Sequence, residues 1–307
     1  MLAKTNTESG FREPTRPDTD LMMAPGLVLG KPSPCLILKA NYAVPIMPAE
    51  TPLMPTFDIA AAVESFWDAH ARREWFPQAW ADTLTLDQAY RILLGLMARR
   101  EAAGQTQIGW KTGLTAPAIQ QQFKVHEPVF GCILSQHASG HVFAPAGLIQ
   151  PGFESELCLR LGQDLVGEIT QDQARAAVAS VHPSLEIIET RGDLTAQLAL
   201  ALADNAQQKT VILGAPVPLP ANLETIEARV IINGQLAATG TGDAVLGNPL
   251  NSLVWLSGKL AAFGRHLKAG EIVMSGSFTR QFPINPGDRI RTEFSGIGAV
   301  ETSMTPR

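Results

Sequence analysis

Apolar and polar residues alternate along residues 153–161, F-E-S-E-L-C-L-R-L. One parity holds Phe153, Leu157, Leu159 and Leu161, and the other holds Glu154, Glu156, Cys158 and Arg160. A period of two residues is typical of a β-strand with one apolar face. A second segment, L-E-I-I-E-T-R at 185–191, also predicts a strand. The pattern therefore predicts two glutamate-bearing strands near the middle of the chain.

The two glutamates of the first strand, Glu154 and Glu156, project from the same face, about 7 Å apart along the backbone. Like charges at this spacing repel and raise each other's pKa unless a positive group lies between them. A hard divalent cation is one such group, because carboxylate oxygens suit magnesium, manganese and calcium. Glu186, on the second strand, would supply a third oxygen ligand. The alternative is a solvated polar face, which is the commoner reason for charged residues on a strand.

Two helices are predicted between residues 57 and 103. Their apolar positions follow helical spacing, at Ile59, Val63 and Phe66 in the first and at Leu86, Tyr90, Leu93 and Met97 in the second. Thr85 and Gln88 form a capping box, which predicts where the second helix begins.

The segment Q-I-G-W-K-T-G-L-T, residues 107–115, predicts a strand through Lys111, a glycine turn and a short helix capped by Thr115. A lysine within an apolar strand is unusual, because burial of an unpaired ammonium group is costly. Lys111 is therefore a candidate functional residue, and the alternative is a lysine that snorkels to solvent.

The remaining pattern adds a helix with a capping box at Thr170 and Gln173, an Ala/Leu-rich helix that ends near Asn205, a hairpin turn at Asn233–Gly234 and a helix from Pro249 to Phe263. Asn205 is interpreted as a helix cap. Many strands with several helices predict an α+β fold centred on a rolled, mixed β-sheet.

Residues 1–53 are rich in proline and lack periodicity, so we expect a disordered leader, a helical part at 54–105 and a catalytic domain at 106–307.

Composition excludes several other classes of protein. The net charge of −5 leaves no basic surface for nucleic acid, and no apolar run is long enough to span a bilayer. Three cysteines, Cys35, Cys132 and Cys158, are too few and too scattered for a disulfide framework or a zinc site. These features predict a cytoplasmic protein.

Four motifs resemble the fumarylacetoacetate hydrolase superfamily, in particular its 2-keto-4-pentenoate hydratase and 4-oxalocrotonate decarboxylase branch. They are I-G-W-K-T-G-L-T at 108–115, F-E-S-E at 153–156, L-E-I-I-E-T-R at 185–191, and G-D-A-V-L-G-N-P followed by M-S-G-S-F-T. The resemblance implies the fumarylacetoacetate hydrolase-like fold and a divalent metal, magnesium or manganese, held by Glu154, Glu156 and Glu186.

The resemblance further implies an active-site role for Lys111 and substrate contacts from Thr115, Ser277 and Thr279. The substrate would be a small unsaturated 2-oxo or 2-hydroxy carboxylic acid. The resemblance also implies homo-oligomers, with a decarboxylase or aldolase as a candidate partner protein. For residues 275–279, where amides and hydroxyls could meet a carboxylate, the alternative is an ordinary loop.

One departure from the family pattern leaves the reaction open. Hydratases of the branch tend to carry an acid immediately before the aromatic-glycine pair, where this chain has Val129, and decarboxylases more often have an apolar residue there. We predict a hydratase that forms 4-hydroxy-2-oxo acids, with Glu127 in place of the missing acid. The alternatives are a 4-oxalocrotonate-type decarboxylase and a catalytically idle partner subunit.

Overall fold

The structure, a computed structural model, describes residues 57–307, and the predicted leader lies outside the described residues. The α-helices in this range are α1 Ile59–Arg72, α2 Leu86–Ala102, α3 Pro117–Phe123, α4 Gln171–Ala177, α5 Leu198–Ala203 and α6 Leu250–Ala261. The strands are β1 Gly109–Gly113, β2 Val129–Ile133, β3 Gln136–Ala138, β4 His141–Phe143, β5 Pro151–Leu161, β6 Val178–Glu189, β7 Gln208–Leu213, β8 Glu227–Ile232, β9 Gln235–Thr241, β10 Ile272–Ser277, β11 Phe282–Pro283, β12 Arg289–Phe294 and β13 Gly298–Met304.

Two sheets form the centre of the fold. The larger sheet has the order β2-β1-β10-β5-β6-β7-β3, with β11 paired to β5, and the smaller has the order β4-β13-β12-β8-β9. The larger sheet is mixed, because β1 pairs in parallel with β10 and β3 with β7 while its other ladders are antiparallel. It curls so that β2 approaches β7. The predicted α+β class with a rolled mixed sheet is confirmed.

The alternation along β5 separates two surfaces of the larger sheet. Phe153, Leu157 and Leu159 are fully buried in the main apolar core. On the same face, Ser155 Oγ lies 2.9 Å from Thr292 Oγ1 of β12, so a buried hydrogen bond joins the two sheets. The opposite face carries the glutamates and, further along β5, Cys158, which belongs to a second, smaller apolar cluster. The glutamates therefore lie inside the curl of the sheet.

Two helices, α2 and α4, begin where their predicted capping boxes place them. In α2, the Thr85 side chain accepts a hydrogen bond from Gln88 N, and the Gln88 side chain accepts one from Thr85 N at 2.8 Å. The box at Thr170 and Gln173 is formed in the same way at the start of α4. Apolar residues of α1 and α2, among them Phe66 and Leu93, join the core beside the larger sheet.

None of the helices in residues 57–307 is long and apolar enough to cross a membrane.

Candidate active site

Three glutamates meet on the inner face of the curled sheet. Glu154 of β5 lies directly opposite Glu186 of β6, and Glu156 pairs in register with Ser277 of β10. One carboxylate oxygen from each glutamate lies within 4.8 Å of those of the other two. Glu156 and Glu186 are 0% exposed, and Glu154 is half-buried. The structure thus brings together the three residues proposed as metal ligands.

Most oxygens of the two buried glutamates lack a hydrogen-bond partner among the described residues. Glu156 Oε2 accepts a hydrogen bond from Gly276 N at 2.8 Å. Glu156 Oε1 and both carboxylate oxygens of Glu186 have none. Buried unsatisfied carboxylates are costly, and a hard divalent cation satisfies this type of ligand set. The donor set and its unsatisfied oxygens therefore fit a divalent metal ion.

Burial controls the protonation of the cluster. It raises the pKa of Glu186 to about 7, and Lys111 opposes that rise. It raises the pKa of Glu156 well above its usual value, and the neighbouring Glu186 and Glu154 carboxylates add to the effect. The pKa of Glu154 is also raised by burial. The positive charge of Lys111 therefore does not offset the burial and mutual repulsion of the three carboxylates.

Lys111 is the cation of this cluster. Its side chain is buried, with 5% of the residue exposed, and Nζ lies 3.4 Å from Glu186 Oε1. Burial alone would lower the pKa of Lys111, but the three carboxylates, Glu186 foremost, raise it above its ordinary value. Lys111 does not reach solvent, so the snorkelling alternative is wrong. A charged ammonium group is held beside the glutamates.

Space for Lys111 depends on a glycine in the neighbouring strand. Gly131 of β2 pairs with Lys111, and a Cβ atom at Gly131 would lie 3.2 Å from Lys111 Cε and 3.1 Å from Asn205 Oδ1. The Asn205 side chain accepts from Cys132 N at 2.7 Å and donates to Cys132 O at 2.9 Å. The Asn205 side chain therefore bonds β2 at Cys132 as a neighbouring strand would. Its interpretation as a helix cap is wrong.

Thr115 does not cap the short helix. The N-terminal capping residue of α3 is Ala116, which makes no side-chain capping bond. Thr115 instead lies close to Gly276. A Cβ atom added at Gly276 would come within 2.6 Å of Thr115 Oγ1. The predicted cap is wrong, because the Thr115 side chain is buried against Gly276 of β10 instead. Thr115 therefore lies next to Gly276, the residue whose amide binds Glu156.

The other two predicted substrate-binding residues lie at the end of β10 and just beyond it. Ser277 is half-buried, and its Oγ lies 3.5 Å from the backbone oxygen of Ser155. The Thr279 hydroxyl donates to Arg280 O at 3.1 Å. Ser277 pairs with Glu156 and so lies next to the cluster. Their contact with substrate stays a prediction.

The structure does not bring Glu127 to the glutamate cluster. Its carboxylate accepts hydrogen bonds from Lys259 Nζ at 2.6 Å and from Trp255 Nε1 at 3.3 Å, both on α6. The bend at residues 126–127 precedes β2 and carries the side chain towards that helix, where it stays 47% exposed. In this arrangement Glu127 anchors the approach to β2, and its catalytic role stays a prediction.

A cavity opens beside Lys111 and Glu154. It is further lined by Gly113, Leu114, Val129, Ile188, Leu194, Leu198, Leu202, Ala206, Gln207 and Gln281. The turn that contributes Ala206 is unusual, because Asn205, Ala206 and Gln207 all have φ between 48° and 63°. Left-handed conformations are strained for residues other than glycine and occur often at functional sites. No sequence signal marks this turn, because only asparagine among the three favours that conformation.

Several known proteins are similar to this chain in sequence. The model of the fumarylacetoacetate (FAA) hydrolase C-terminal family matches residues 117–305. The 2-hydroxyhexa-2,4-dienoate hydratase of Comamonas testosteroni is 35% identical over 230 residues, or 72% of this chain and 87% of the relative. A 4-oxalocrotonate decarboxylase of Pseudomonas putida is 33% identical over 226 residues, or 71% of this chain and 84% of the relative.

A solved structure is also similar. The 4-oxalocrotonate decarboxylase from Pseudomonas putida G7, complexed with magnesium and adipate, aligns with a TM-score of 0.76 and 29% identity. The alignment covers 80% of this chain and 97% of that chain.

Proposed function

Because this chain belongs to the fumarylacetoacetate hydrolase family, we propose that it is a metal-dependent hydratase of short 2-hydroxy-2,4-dienoic acids. The family and fold predicted from the sequence are confirmed. The observation that carries the proposal is the convergence of Glu154, Glu156 and Glu186 beside a charged Lys111, with unsatisfied oxygens on the two buried glutamates, Glu156 and Glu186. Relatives named as hydratases and as decarboxylases both occur, so the chain is a lyase in either case.

The three glutamates would hold one divalent ion, magnesium or manganese. When bound, such an ion supplies Lewis acidity to the carboxylate and 2-oxygen of a 2-oxo acid. Glu156 is fixed for this role by the amide of Gly276. Relatives are complexed with magnesium in one structure and with calcium in another, which supports a divalent ion without selecting one.

The proposed reaction adds one water molecule to 2-hydroxypenta-2,4-dienoate or a homologue. The enol oxygen loses its proton and becomes the 2-oxo group, C4 gains the hydroxyl, and C3 and C5 each gain a hydrogen. In this proposal Lys111, whose Nζ lies beside Glu186, orients the substrate or holds a proton during this transfer. The product is a 4-hydroxy-2-oxo acid.

Decarboxylation of 4-oxalocrotonate is the second candidate. The observation that favours it is Val129, an apolar residue on the cavity wall where hydratases of the branch tend to carry an acid. Decarboxylation needs no group that activates water, so this wall does not exclude it. The two reactions share the glutamate cluster and differ in the substrate's far end.

An assay of the purified protein tests the proposal. Absorbance of 2-hydroxypenta-2,4-dienoate should fall when magnesium is present, and EDTA should abolish the loss. Glu186→Gln should lose both turnover and magnesium binding, while the exposed control Glu101→Gln should keep both. Release of carbon dioxide from 4-oxalocrotonate, without hydration of the dienoate, would replace the hydratase by the decarboxylase. Magnesium binding without either turnover would indicate the idle subunit.

A further inference from the structure

The cavity beside the glutamates has an apolar wall formed around α5. Leu198 and Leu202 are four residues apart in this helix and therefore lie on one face, and Leu194 precedes them. All three line the cavity, and Leu202 is fully buried. The wall thus offers hydrocarbon contact to whatever part of a substrate extends away from the 2-oxo acid.

The other side of the cavity is also apolar. Leu114, Val129 and Ile188 line it, and Val129 and Ile188 are buried. Of the two amides that line the cavity, Gln207 already donates from Nε2 to Gly192 O at 3.3 Å. These walls therefore offer an alkyl group hydrocarbon contact on both sides.

Charge in the cavity is concentrated at one end. Among the described residues that line it, Lys111 is the one cation and Glu154 the one anion. Lys111 lies 3.4 Å from Glu186 Oε1 and is engaged with the glutamate cluster. A second carboxylate at the far end of a substrate would therefore lose its hydration without gaining a cation, which is unfavourable.

Arg280 is the cation next in sequence to the cavity-lining Gln281. Its guanidinium group stacks on the Phe282 ring, 4.0 Å from the centroid, and Nη1 donates to Gln281 O at 3.3 Å. Arg280 is exposed and is not part of the cavity wall. It is the residue to test as an alternative source of positive charge.

From these observations, and resting on the proposed function, we infer that Leu194, Leu198 and Leu202 select substrates with an alkyl far end. The site takes 2-oxo or 2-hydroxy monocarboxylic acids with a short hydrocarbon tail. It rejects dicarboxylic acids of the same length, of which 4-oxalocrotonate is one. The leucines are specificity-determining residues, and they favour the hydratase over the decarboxylase.

Two stable acids of equal length test this inference by binding alone. 2-Oxohexanoate and 2-oxoadipate differ in a terminal methyl group against a terminal carboxylate, and their affinity can be measured by calorimetry with saturating magnesium. We expect 2-oxohexanoate to bind at least tenfold more tightly to the unmodified protein. Leu198→Arg should reverse this order, and Leu198→Met should preserve it.

The outcomes separate this inference from the proposed function. Equal or tighter binding of 2-oxoadipate to the unmodified protein would overturn the inference alone. If Arg280→Gln then lost that binding of 2-oxoadipate, Arg280 would be identified as the source of positive charge. Failure of both acids to bind would overturn the proposed function and the inference together. The comparison in the unmodified protein does not depend on the folding of any variant, and Leu194→Arg, at a half-buried position, provides a second reversal test.

Discussion

The substitution Glu156→Gln should stabilise the metal-free protein. Glutamine has nearly the same shape, and its side-chain oxygen can still accept the hydrogen bond from Gly276 N. The change removes one negative charge within 4.8 Å of two others. At that distance each ionised pair repels by about 3.5 kcal/mol for an effective dielectric constant of about 20. Partial protonation already relieves some of this repulsion, so the expected gain in unfolding free energy is about 1–3 kcal/mol.

Magnesium should close or reverse this difference in stability. At a hundredfold excess over its Kd, magnesium should add about 2.7 kcal/mol to the unmodified protein and much less to the variant. Urea unfolding at pH 7.5, with EDTA and then with magnesium, measures both effects. Glu101→Gln, at an exposed position of α2, controls for the change in net charge. A variant less stable than the unmodified protein in EDTA, or one that gains as much from magnesium, would refute this account of the cluster.

Three further substitutions test the surroundings of the cluster. Glu127→Gln should lower the hydration rate at least tenfold, about 1.4 kcal/mol of barrier, with magnesium affinity unchanged. Full activity in this variant would reject a catalytic role for Glu127 and leave only its contact with α6. Gly276→Ala should weaken magnesium binding at least tenfold, because its φ is +106° and the new Cβ would overlap Thr115; unaltered affinity in calorimetry would reject the role of the amide. Lys111→Met should lower kcat at least a hundredfold, about 2.7 kcal/mol. It should not weaken magnesium binding, because it removes a positive charge that would repel the metal ion beside Glu186, and a weaker magnesium complex would contradict this.

The sequence predicts those features that depend on local pattern. Alternation along residues 153–161 correctly separates buried leucines from the glutamates, and the two capping boxes are formed as expected. Asn233–Gly234 forms the hairpin turn between β8 and β9, with φ values of 53° and 81°. These signals lie within a few residues of one another, so neighbouring side chains are enough to determine them.

Features that depend on distant contacts could not be read from local pattern. Thr115 is of a residue type that often caps helices, but its side chain is buried against Gly276, which is far away in sequence. Asn205 resembles a helix cap and serves as a bracket for the peptide at Cys132. The Glu127 side chain lies against Lys259 of α6, a contact that no local pattern indicates. In each case a partner from another element decides the outcome.

The parallel pairing of β1 with β10 also has a consequence for synthesis of the chain. Gly109 pairs with Ile272, so β1, the strand that carries Lys111, cannot pair with β10 until most of the protein has been made. At about 5–20 residues per second, the interval is roughly 8–33 s. During this time β1 can pair with β2 alone and presents an open edge to other nascent chains. We therefore expect the newly synthesised protein to depend on chaperones for yield, and chains that end before residue 272 to aggregate rather than fold.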